Sequence, residues 1–131
     1  MSLFAGPSYS ILIDSDGFAW AFGDNTERKL GLVFEEISFN PEKVPTIPTC
    51  LAVSGGISHT CYLDTTGAIW TCGNNRSYQL GLYHQVEKNE GIPLTQVDKL
   101  PDIQAISCGH YFTILLDTHG KVWSCGKYRD W

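Results

Sequence analysis

The chain has 131 residues, of which 43% are hydrophobic and 18% charged, and its 14 acidic against 9 basic residues give a formal net charge of −5. The apolar content is too high and the net charge too small for intrinsic disorder, and the scattered basic residues predict no direct contact with a nucleic-acid backbone. No apolar run reaches the roughly 18 to 20 residues of a membrane-spanning helix, so the sequence predicts no membrane segment.

One segment of the sequence occurs three times. The stretch at 10–23 recurs at 60–73 and again at 113–126. All three copies carry the pattern Asp-x-x-Gly-x-x-Trp-x-x-Gly, and the steps between copies are 50 and 53 residues. A period of this size is typical of proteins built from repeated supersecondary units. The predicted units span 6–55, 56–108 and 109–131, and the third is truncated.

Each copy predicts a β-hairpin. β-branched and aromatic residues flank an X-Gly pair, which supplies the positive φ angles of a two-residue type I′ turn. The three turn pairs are Asp16-Gly17, Thr66-Gly67 and His119-Gly120. A two-residue turn places a large apolar residue opposite each tryptophan. The predicted cross-strand pairs are Ile13–Trp20, Leu63–Trp70 and Leu116–Trp123.

The repeated residues are interpreted as structural, because a functional residue seldom has to occur once in every unit. The tryptophans are assigned to packing, since an indole buries a large area. The glycine that ends each hairpin is assigned to a point where φ turns positive or a side chain would clash. The repeated aspartates, Asp14, Asp64 and Asp117, are expected to cap backbone N–H groups. The structural positions are Gly17, Trp20, Gly23, Gly67, Trp70, Gly73, Gly120, Trp123 and Gly126.

The remainder of each unit completes an all-β pattern. Short strands are predicted at 51–54 and 103–107, just before the glycine that leads into the hairpin. The polar stretches 24–30 and 74–80 fit one helical turn or a loop, and prolines mark the linkers. No helical periodicity competes with this pattern.

Together these motifs resemble the regulator of chromosome condensation repeat. The fullest copy spans 56–82 and reads GISHTCYLDTTGAIWTCGNNRSYQLGL. The resemblance covers the whole chain and implies a β-propeller of about seven blades, each with four antiparallel strands. At this period 131 residues supply only two to three blades, whereas closed propellers carry about 4 to 8. The prediction is therefore an incomplete propeller that needs further blades or an oligomer to close.

An open stack of blades leaves its outermost sheets facing water. The aromatic-rich faces of Trp20 and Trp123 are expected to need a cover. Three arrangements supply one: the chain is a fragment of a longer propeller, it forms a closed two-fold homodimer, or it docks onto another propeller protein. The fragment is favoured because the sequence ends inside a repeat unit.

The five cysteines show no metal-binding spacing. Cys50, Cys61, Cys72, Cys108 and Cys125 form no C-x-x-C pair, and an odd count without a signal peptide favours reduced thiols in an intracellular protein. The predicted hairpin places Cys61 opposite Cys72, so a cross-strand disulfide is one alternative. Mainly apolar residues stand at the equivalent positions of the other copies, which favours packing in the core.

His59 is the histidine of most interest. The family pattern places a His before Thr or Ser at this position, and its expected role is a buried hydrogen bond that ties a loop to a strand. Tyr9 and Phe112 occupy the equivalent positions, which argues against shared chemistry. No nucleophile elbow, zinc-protease motif or P-loop occurs, so the sequence predicts no catalytic residue, no metal site and no cofactor.

Recognition is assigned to the loops in which the units differ. The linkers that follow residues 32 and 82 mix acidic with aromatic or aliphatic side chains, a composition suited to a basic protein partner. An equally weighted alternative packs Phe34, Ile37 and Phe39 between blades and leaves the acids merely solvated. The candidate partner-binding residues are Phe34, Glu35, Glu36, Phe39, Tyr83, Glu87 and Glu90.

These features predict an intracellular protein-interaction module, cytoplasmic or nuclear, rather than an enzyme. The resemblance implies protein partners such as small GTPases, and its most specific implication is guanine-nucleotide exchange on a Ran-like GTPase. No loop of the kind that wedges out a nucleotide is identifiable in the sequence. Two alternatives remain: a ligand-binding, lectin-like propeller, and a structural or assembly fragment without a separate activity.

Overall fold

The computed structural model of the protein describes residues 2–32, 37–82 and 91–127, with only the backbone of residues 38 and 39. The first strands are β1 (Ser2–Ala5), β2 (Tyr9–Ile13), β3 (Ala19–Asp24) and β4 (Ile37–Lys43), with a short 3-10 helix at Thr26–Arg28. Next come β5 (Cys50–Gly55), β6 (His59–Asp64), β7 (Ile69–Gly73) and β8 (Ile92–Gln96). The last are β9 (Ile103–Cys108), β10 (Phe112–Asp117) and β11 (Val122–Gly126).

The strands form three antiparallel sheets in chain order. Sheet 1 contains β1 to β4, sheet 2 contains β5 to β8, and sheet 3 contains β9 to β11. Strands that follow each other in the chain are neighbours in the sheet, which is the arrangement of a propeller blade. The all-β prediction is confirmed, and the sheets of the described ranges form an unclosed stack, as expected for an incomplete propeller.

The sheets are out of phase with the sequence repeat. The strands predicted at 51–54 and 103–107 form as β5 and β9, but each pairs with the hairpin that follows it. A repeat unit of 56–108 therefore supplies three strands of sheet 2 and the first strand of sheet 3. Along the stack β5 contacts both β1 and β9, so these three strands bring the sheets together.

The hairpins turn over three residues rather than two. In the first, the Asp14 N–H donates to the Phe18 carbonyl at 2.9 Å and the Gly17 N–H donates to the Asp14 carbonyl at 3.0 Å. Gly17 lies in the left-handed region at φ 88°, as a three-residue hairpin requires. The extra residue shifts every pair by one position, so the predicted partners Ile13, Leu63 and Leu116 are wrong. Trp20, Trp70 and Trp123 lie opposite Leu12, Tyr62 and Leu115.

Two apolar clusters join the sheets. The cluster between sheets 1 and 2 includes Ile11 and Tyr62, and Trp70 packs against it. The cluster between sheets 2 and 3 includes Leu63, and Trp123 packs against it. Each of these tryptophans thus faces the preceding sheet, so the expectation that Trp123 lies on an open face is wrong.

The open face of sheet 3 is the opposite one. Ile114 and Leu116 are only partly buried on it, and Val122 is 63% exposed. Ile11 and Cys61 occupy the position of Ile114 in sheets 1 and 2, and both are completely buried under the next sheet. Sheet 3 therefore exposes an apolar surface whose equivalents on sheets 1 and 2 are each covered by the next sheet. We call Ile114, Leu116 and Val122 the uncovered face.

Candidate functional site

The carboxylate of the repeated aspartate lies inside each hairpin. Oδ1 of Asp64 accepts hydrogen bonds from the backbone N–H groups of Thr66 and Ala68, at 2.8 and 3.0 Å, and from the Thr66 hydroxyl at 2.6 Å. Its Oδ2 accepts the indole N–H of Trp70 at 2.9 Å. The predicted capping of the turn is confirmed. The hydrogen bond to the indole is a further contact that the predicted register did not reveal.

The other two hairpins repeat this geometry. Oδ2 of Asp14 accepts the indole N–H of Trp20 at 2.9 Å, and Oδ2 of Asp117 accepts that of Trp123 at 3.0 Å. In both hairpins the backbone N–H groups two and four residues later donate to Oδ1, at distances of 2.8 to 2.9 Å. The arrangement is thus a structural unit that recurs in every sheet.

These hydrogen bonds hold the aspartates in their ionised form. The Trp20 indole is the main cause of the lowered pKa of Asp14, followed by the backbone N–H of Phe18. At Asp64 burial raises the pKa, but the hydrogen bonds from Thr66 and Trp70 outweigh it and the pKa is lowered. A carboxylate that is ionised and occupied at both oxygens is unsuited to general acid or base chemistry.

The glycine at the end of each hairpin meets both requirements assigned to it. Gly23, Gly73 and Gly126 have φ angles of 108°, 111° and 106°. A Cβ atom on Gly23 would lie 2.6 Å from the Ser8 carbonyl oxygen, and one on Gly73 would collide with the Ser58 carbonyl oxygen. These glycines let the two strands of the hairpin approach closely at the end opposite the turn.

The asparagine after each of the first two hairpins organises the loop that follows. The side-chain amide of Asn25 donates to the Leu32 carbonyl at 3.2 Å, and its Oδ1 accepts the Leu30 N–H at 2.9 Å. Asn75 makes the equivalent hydrogen bonds to Leu82 and Leu80. Both loops thereby bury a leucine, and the first of them contains the 3-10 helix.

A tyrosine hydroxyl joins sheet 1 to sheet 2. The Tyr9 hydroxyl lies 2.9 Å from the Gly56 carbonyl and 2.6 Å from the His59 carbonyl and donates between them. Beside it the Thr60 hydroxyl donates to the Lys29 carbonyl at 2.5 Å. Burial raises the pKa of Tyr9 well above its usual range, so this hydroxyl stays neutral and keeps its hydrogen.

A histidine takes the place of that tyrosine between sheets 2 and 3. The Thr113 hydroxyl donates its one hydrogen to the Gln79 carbonyl at 2.7 Å, so at 3.1 Å it accepts from the Nε2–H of His59. His59 is fully buried, and its Nδ1 has no hydrogen-bond partner among the described residues. The bond joins two sheets, rather than a loop to a strand as the sequence suggested.

The cysteines are all free thiols. Cys61 lies opposite Thr71 and Cys72 lies opposite Thr60, so the alternative of a Cys61–Cys72 disulfide is wrong. The shifted register puts the two thiols on opposite faces of sheet 2, where each joins a different apolar cluster. Cys50 is also buried.

Most of the candidate partner-binding residues lie outside the described residues. This applies to Phe34, Glu35, Glu36, Tyr83, Glu87 and Glu90. Phe39 belongs to β4, where only its backbone is described. Ile37, which the alternative packed between blades, is 53% exposed. The role of the two acidic loops in binding stays a prediction.

Among the described residues, no group of three or more His, Cys, Asp or Glu side chains is placed to hold a metal ion. No helix of those ranges is long and apolar enough to cross a membrane.

A cavity of about 290 Å³ lies between sheets 2 and 3, and its lining includes Leu80, Val97, Leu115 and Trp123.

Stacked up-and-down sheets, each with one Asp-Trp hairpin, define the chain as a segment of a β-propeller. The family model "Regulator of chromosome condensation (RCC1) repeat" matches residues 16–63 and 66–116, and a second model of the same description matches 51–79. The chain belongs to the RCC1 repeat family. A comparison with curated proteins gives no match.

Solved structures of RCC1 propellers share the fold at low sequence identity. Yeast RCC1 (Prp20), in a crystal structure with Kap60, is 17% identical with a TM-score of 0.81 over 95% of this chain and 31% of its own. Human WBSCR16 is 16% identical with a TM-score of 0.83 over 96% and 32%. Prp20p from Saccharomyces cerevisiae, described with its binding properties to Gsp1p and histones, is 18% identical with a TM-score of 0.81 over 95% and 32%. The chain spans about a third of these proteins.

Proposed function

We propose that the chain is a protein-interaction module of the RCC1 repeat type, cytoplasmic or nuclear, that acts as part of a complete propeller. The observation that carries this proposal is that the repeated polar groups are occupied inside the fold. The aspartates cap turns and bind indoles, while Tyr9 and His59 join sheets. Recognition then falls to the loops in which the units differ.

The uncovered face supports the need for further blades. Its residues repeat positions that are completely buried in sheets 1 and 2. Leaving such an apolar surface in water is unfavourable by about 25 cal/mol per Å². A further blade of the same kind fits this face, because sheets 2 and 3 already cover the equivalent faces of sheets 1 and 2. That blade comes from a longer chain or from a second copy of this one.

The partner of the acidic loops is a basic protein surface. Opposite charges steer such an association and make it sensitive to salt. The test is binding of a core histone preparation to the chain, measured by biolayer interferometry at low and physiological ionic strength. We expect Glu35→Lys combined with Glu36→Lys to raise Kd roughly tenfold, about 1.4 kcal/mol, and to flatten the salt dependence.

A charge reversal outside the loops is the matched control. Asp98 is exposed after β8, so Asp98→Lys changes the net charge by the same amount per site without touching either loop. The proposal requires that this variant bind like the native chain. Equal weakening by both changes indicates a general charge effect, and that outcome, like no binding at all, contradicts a loop-borne site.

Nucleotide exchange on a Ran-like small GTPase is a second, more specific candidate. It is favoured by the similarity to Prp20p, for which binding properties to Gsp1p are described. Exchange works by competitive binding without covalent chemistry, so it makes no demand on the occupied aspartates. A fluorescent-GDP release assay with a Ran-like GTPase tests it. Acceleration supports exchange, whereas release at the intrinsic rate removes this candidate and leaves the interaction module intact.

A further inference from the structure

Two cysteines distinguish the junction between sheets 2 and 3 from the junction between sheets 1 and 2. Cys61 on β6 stands where Ile11 does, and Cys108 on β9 stands where Gly55 does. Both changes fall at the same junction, one on each sheet. A thiol from each sheet therefore faces this junction, at the two positions that Ile11 and Gly55 occupy in the first junction.

Side-chain volume explains only one of the two changes. A Cβ atom on Gly55 would lie 2.5 Å from the Tyr9 hydroxyl and 2.7 Å from the Phe4 ring. Because His59 replaces Tyr9 at the second junction, its shorter side chain leaves space for the side chain of Cys108. Packing thus accounts for a small residue at 108, but it does not require a second thiol against it.

Both thiols belong to the apolar cluster between sheets 2 and 3: Cys61 is one of its buried members, and Cys108 packs against the cluster. Ser54, which lies opposite Cys61 on the neighbouring strand, accepts a hydrogen bond of 3.0 Å from the backbone N–H of Cys108. The Cys108 sulfur lies 3.8 Å from the Thr113 hydroxyl. The hydrogen bond from the Cys61 thiol, together with the His59 ring, lowers the pKa of Cys108, and the same contact raises the pKa of Cys61. Cys108 is partly exposed, whereas Cys61 is fully buried.

We propose that Cys61 and Cys108 form a peroxide-sensitive dithiol whose oxidation closes a disulfide between sheets 2 and 3. The Cys108 thiolate attacks a hydroperoxide, the O–O bond breaks, and Cys108 becomes a sulfenic acid while the leaving oxygen takes up a proton. The Cys61 sulfur then attacks the sulfenic sulfur, loses its proton and displaces water. With hydrogen peroxide as the oxidant, two thiols are oxidised to one disulfide and two waters form.

The other three thiols all have raised pKa values. Cys72 lies on the opposite face of sheet 2, and burial raises its pKa to about 12. Burial also raises the pKa of Cys50 to about 12 and that of Cys125 to about 11. A thiol of high pKa is a poor nucleophile toward peroxide at neutral pH. The proposed site is independent of any partner that the loops bind.

A variant with two substitutions allows peptide mapping to identify which cysteines form the disulfide. Cys50→Ala with Cys72→Ala leaves three cysteines, which fall in the three tryptic peptides 44–76, 100–121 and 122–127. The folded variant is treated with one equivalent of hydrogen peroxide, alkylated, digested without reductant and analysed by mass spectrometry. We expect peptide 44–76 joined to peptide 100–121, with Cys125 alkylated, and release of both peptides by dithiothreitol.

Thiol counting on the native chain and three single-substitution variants is an independent check of the pairing. Peroxide followed by unfolding and maleimide labelling is expected to lower the native count from five thiols to three. Cys108→Ala is expected to keep all four of its thiols. Cys61→Val is expected to fall from four to three, because Cys108 stops at the sulfenic acid, and Cys72→Ala, the matched control, is expected to fall from four to two. A full count in the native chain, a disulfide to Cys125 or a disulfide between two chains overturns the proposal.

Discussion

At the scale of single residues, Asp64 illustrates why aspartate suits the base of each hairpin. A carboxylate only accepts hydrogen bonds, and its two oxygens receive the turn on one side and the Trp70 indole on the other. Asparagine offers one oxygen instead of two, so one of these donors would face an amide N–H. The first half of this contact is predictable from an aspartate beside a glycine turn, whereas the second half depends on strand register.

Replacing Asp64 by asparagine tests this contact. Because a donor then faces a donor in a partly buried site, we expect Asp64→Asn to lower the free energy of unfolding by about 1 to 3 kcal/mol. Asp16→Asn, in the exposed turn of the first hairpin, is the control and should stay within about 0.5 kcal/mol of the native chain. Urea unfolding followed by tryptophan fluorescence measures both, and equal values contradict the assignment.

The same aspartates predict a stability that falls in acid. The pKa values of Asp14, Asp64 and Asp117 are lowered in the folded chain, so the folded state holds their protons less tightly than the unfolded state. Their contribution is complete above the unfolded pKa of about 4 and is lost as the pH falls through the lower, folded values. We expect the urea midpoint to fall between about pH 5 and pH 2, and to fall less in Asp64→Asn. A midpoint that is flat over this range contradicts the prediction.

At the scale of the hairpin, the elements could be predicted from sequence but their register could not. Alternation of apolar residues around Asp-x-x-Gly is sufficient to place β2 with β3 and its two equivalents. An X-Gly pair is compatible with both two- and three-residue turns. The longer turn is identified by two backbone hydrogen bonds, from Gly17 N–H to the Asp14 carbonyl and from Asp14 N–H to the Phe18 carbonyl. One residue of difference moves Cys61 and Cys72 to opposite faces of sheet 2, which excludes the alternative of a disulfide between these two cysteines.

The end of each hairpin is expected to tolerate no side chain. At Gly73 an added Cβ meets the Ser58 carbonyl oxygen at a positive φ, whereas at Gly120 the φ is also positive but nothing lies within 4 Å. Gly120→Ala should therefore cost only the backbone strain, about 1 to 2 kcal/mol. Gly73→Ala should cost about 1 to 3 kcal/mol more, because the strands must move apart. Chemical unfolding of the two variants decides it, and equal losses rule out the steric argument.

The contacts between hairpins lie beyond what a single repeat reveals. Tyr9 and His59 occupy equivalent positions, yet each finds its partner on the next sheet, more than 45 residues along the chain. A sequence repeat predicts that units resemble one another, but not which faces meet. For this reason the Cys61 and Cys108 pair was not foreseen, although both cysteines are visible in the sequence.

At the scale of the whole molecule, the chain has too few blades to close a propeller, and the structure shows which surface is left open. Length and period alone indicated that something must cover the ends of the stack. The sequence pointed to Trp123, but the structure places the open surface at Ile114, Leu116 and Val122 on the other side of sheet 3. Strand alternation fixes which residues share a face, but not which of the two faces the preceding sheet takes.

The uncovered face is expected to drive self-association of the chain in isolation. A buried leucine contributes about 1.5 to 3 kcal/mol, so Leu116→Lys should weaken association at least tenfold. Leu51→Lys, at a 57% exposed site on β5, is the control and should leave it unchanged. Light scattering over a concentration series measures the effect. A native chain that stays a monodisperse monomer at every concentration refutes association through this face.

The offset between the repeat and the sheets bears on how such a chain can grow. A duplicated gene segment with the bounds of the repeat adds the last three strands of one sheet and the first strand of the next. Every new copy therefore forms backbone hydrogen bonds with the unit before it in one sheet and with the unit after it in the next sheet. Duplication of one unit therefore never adds a blade made of that unit's strands alone. Deletion of one unit requires the two sheets beside it to combine their remaining strands into one sheet.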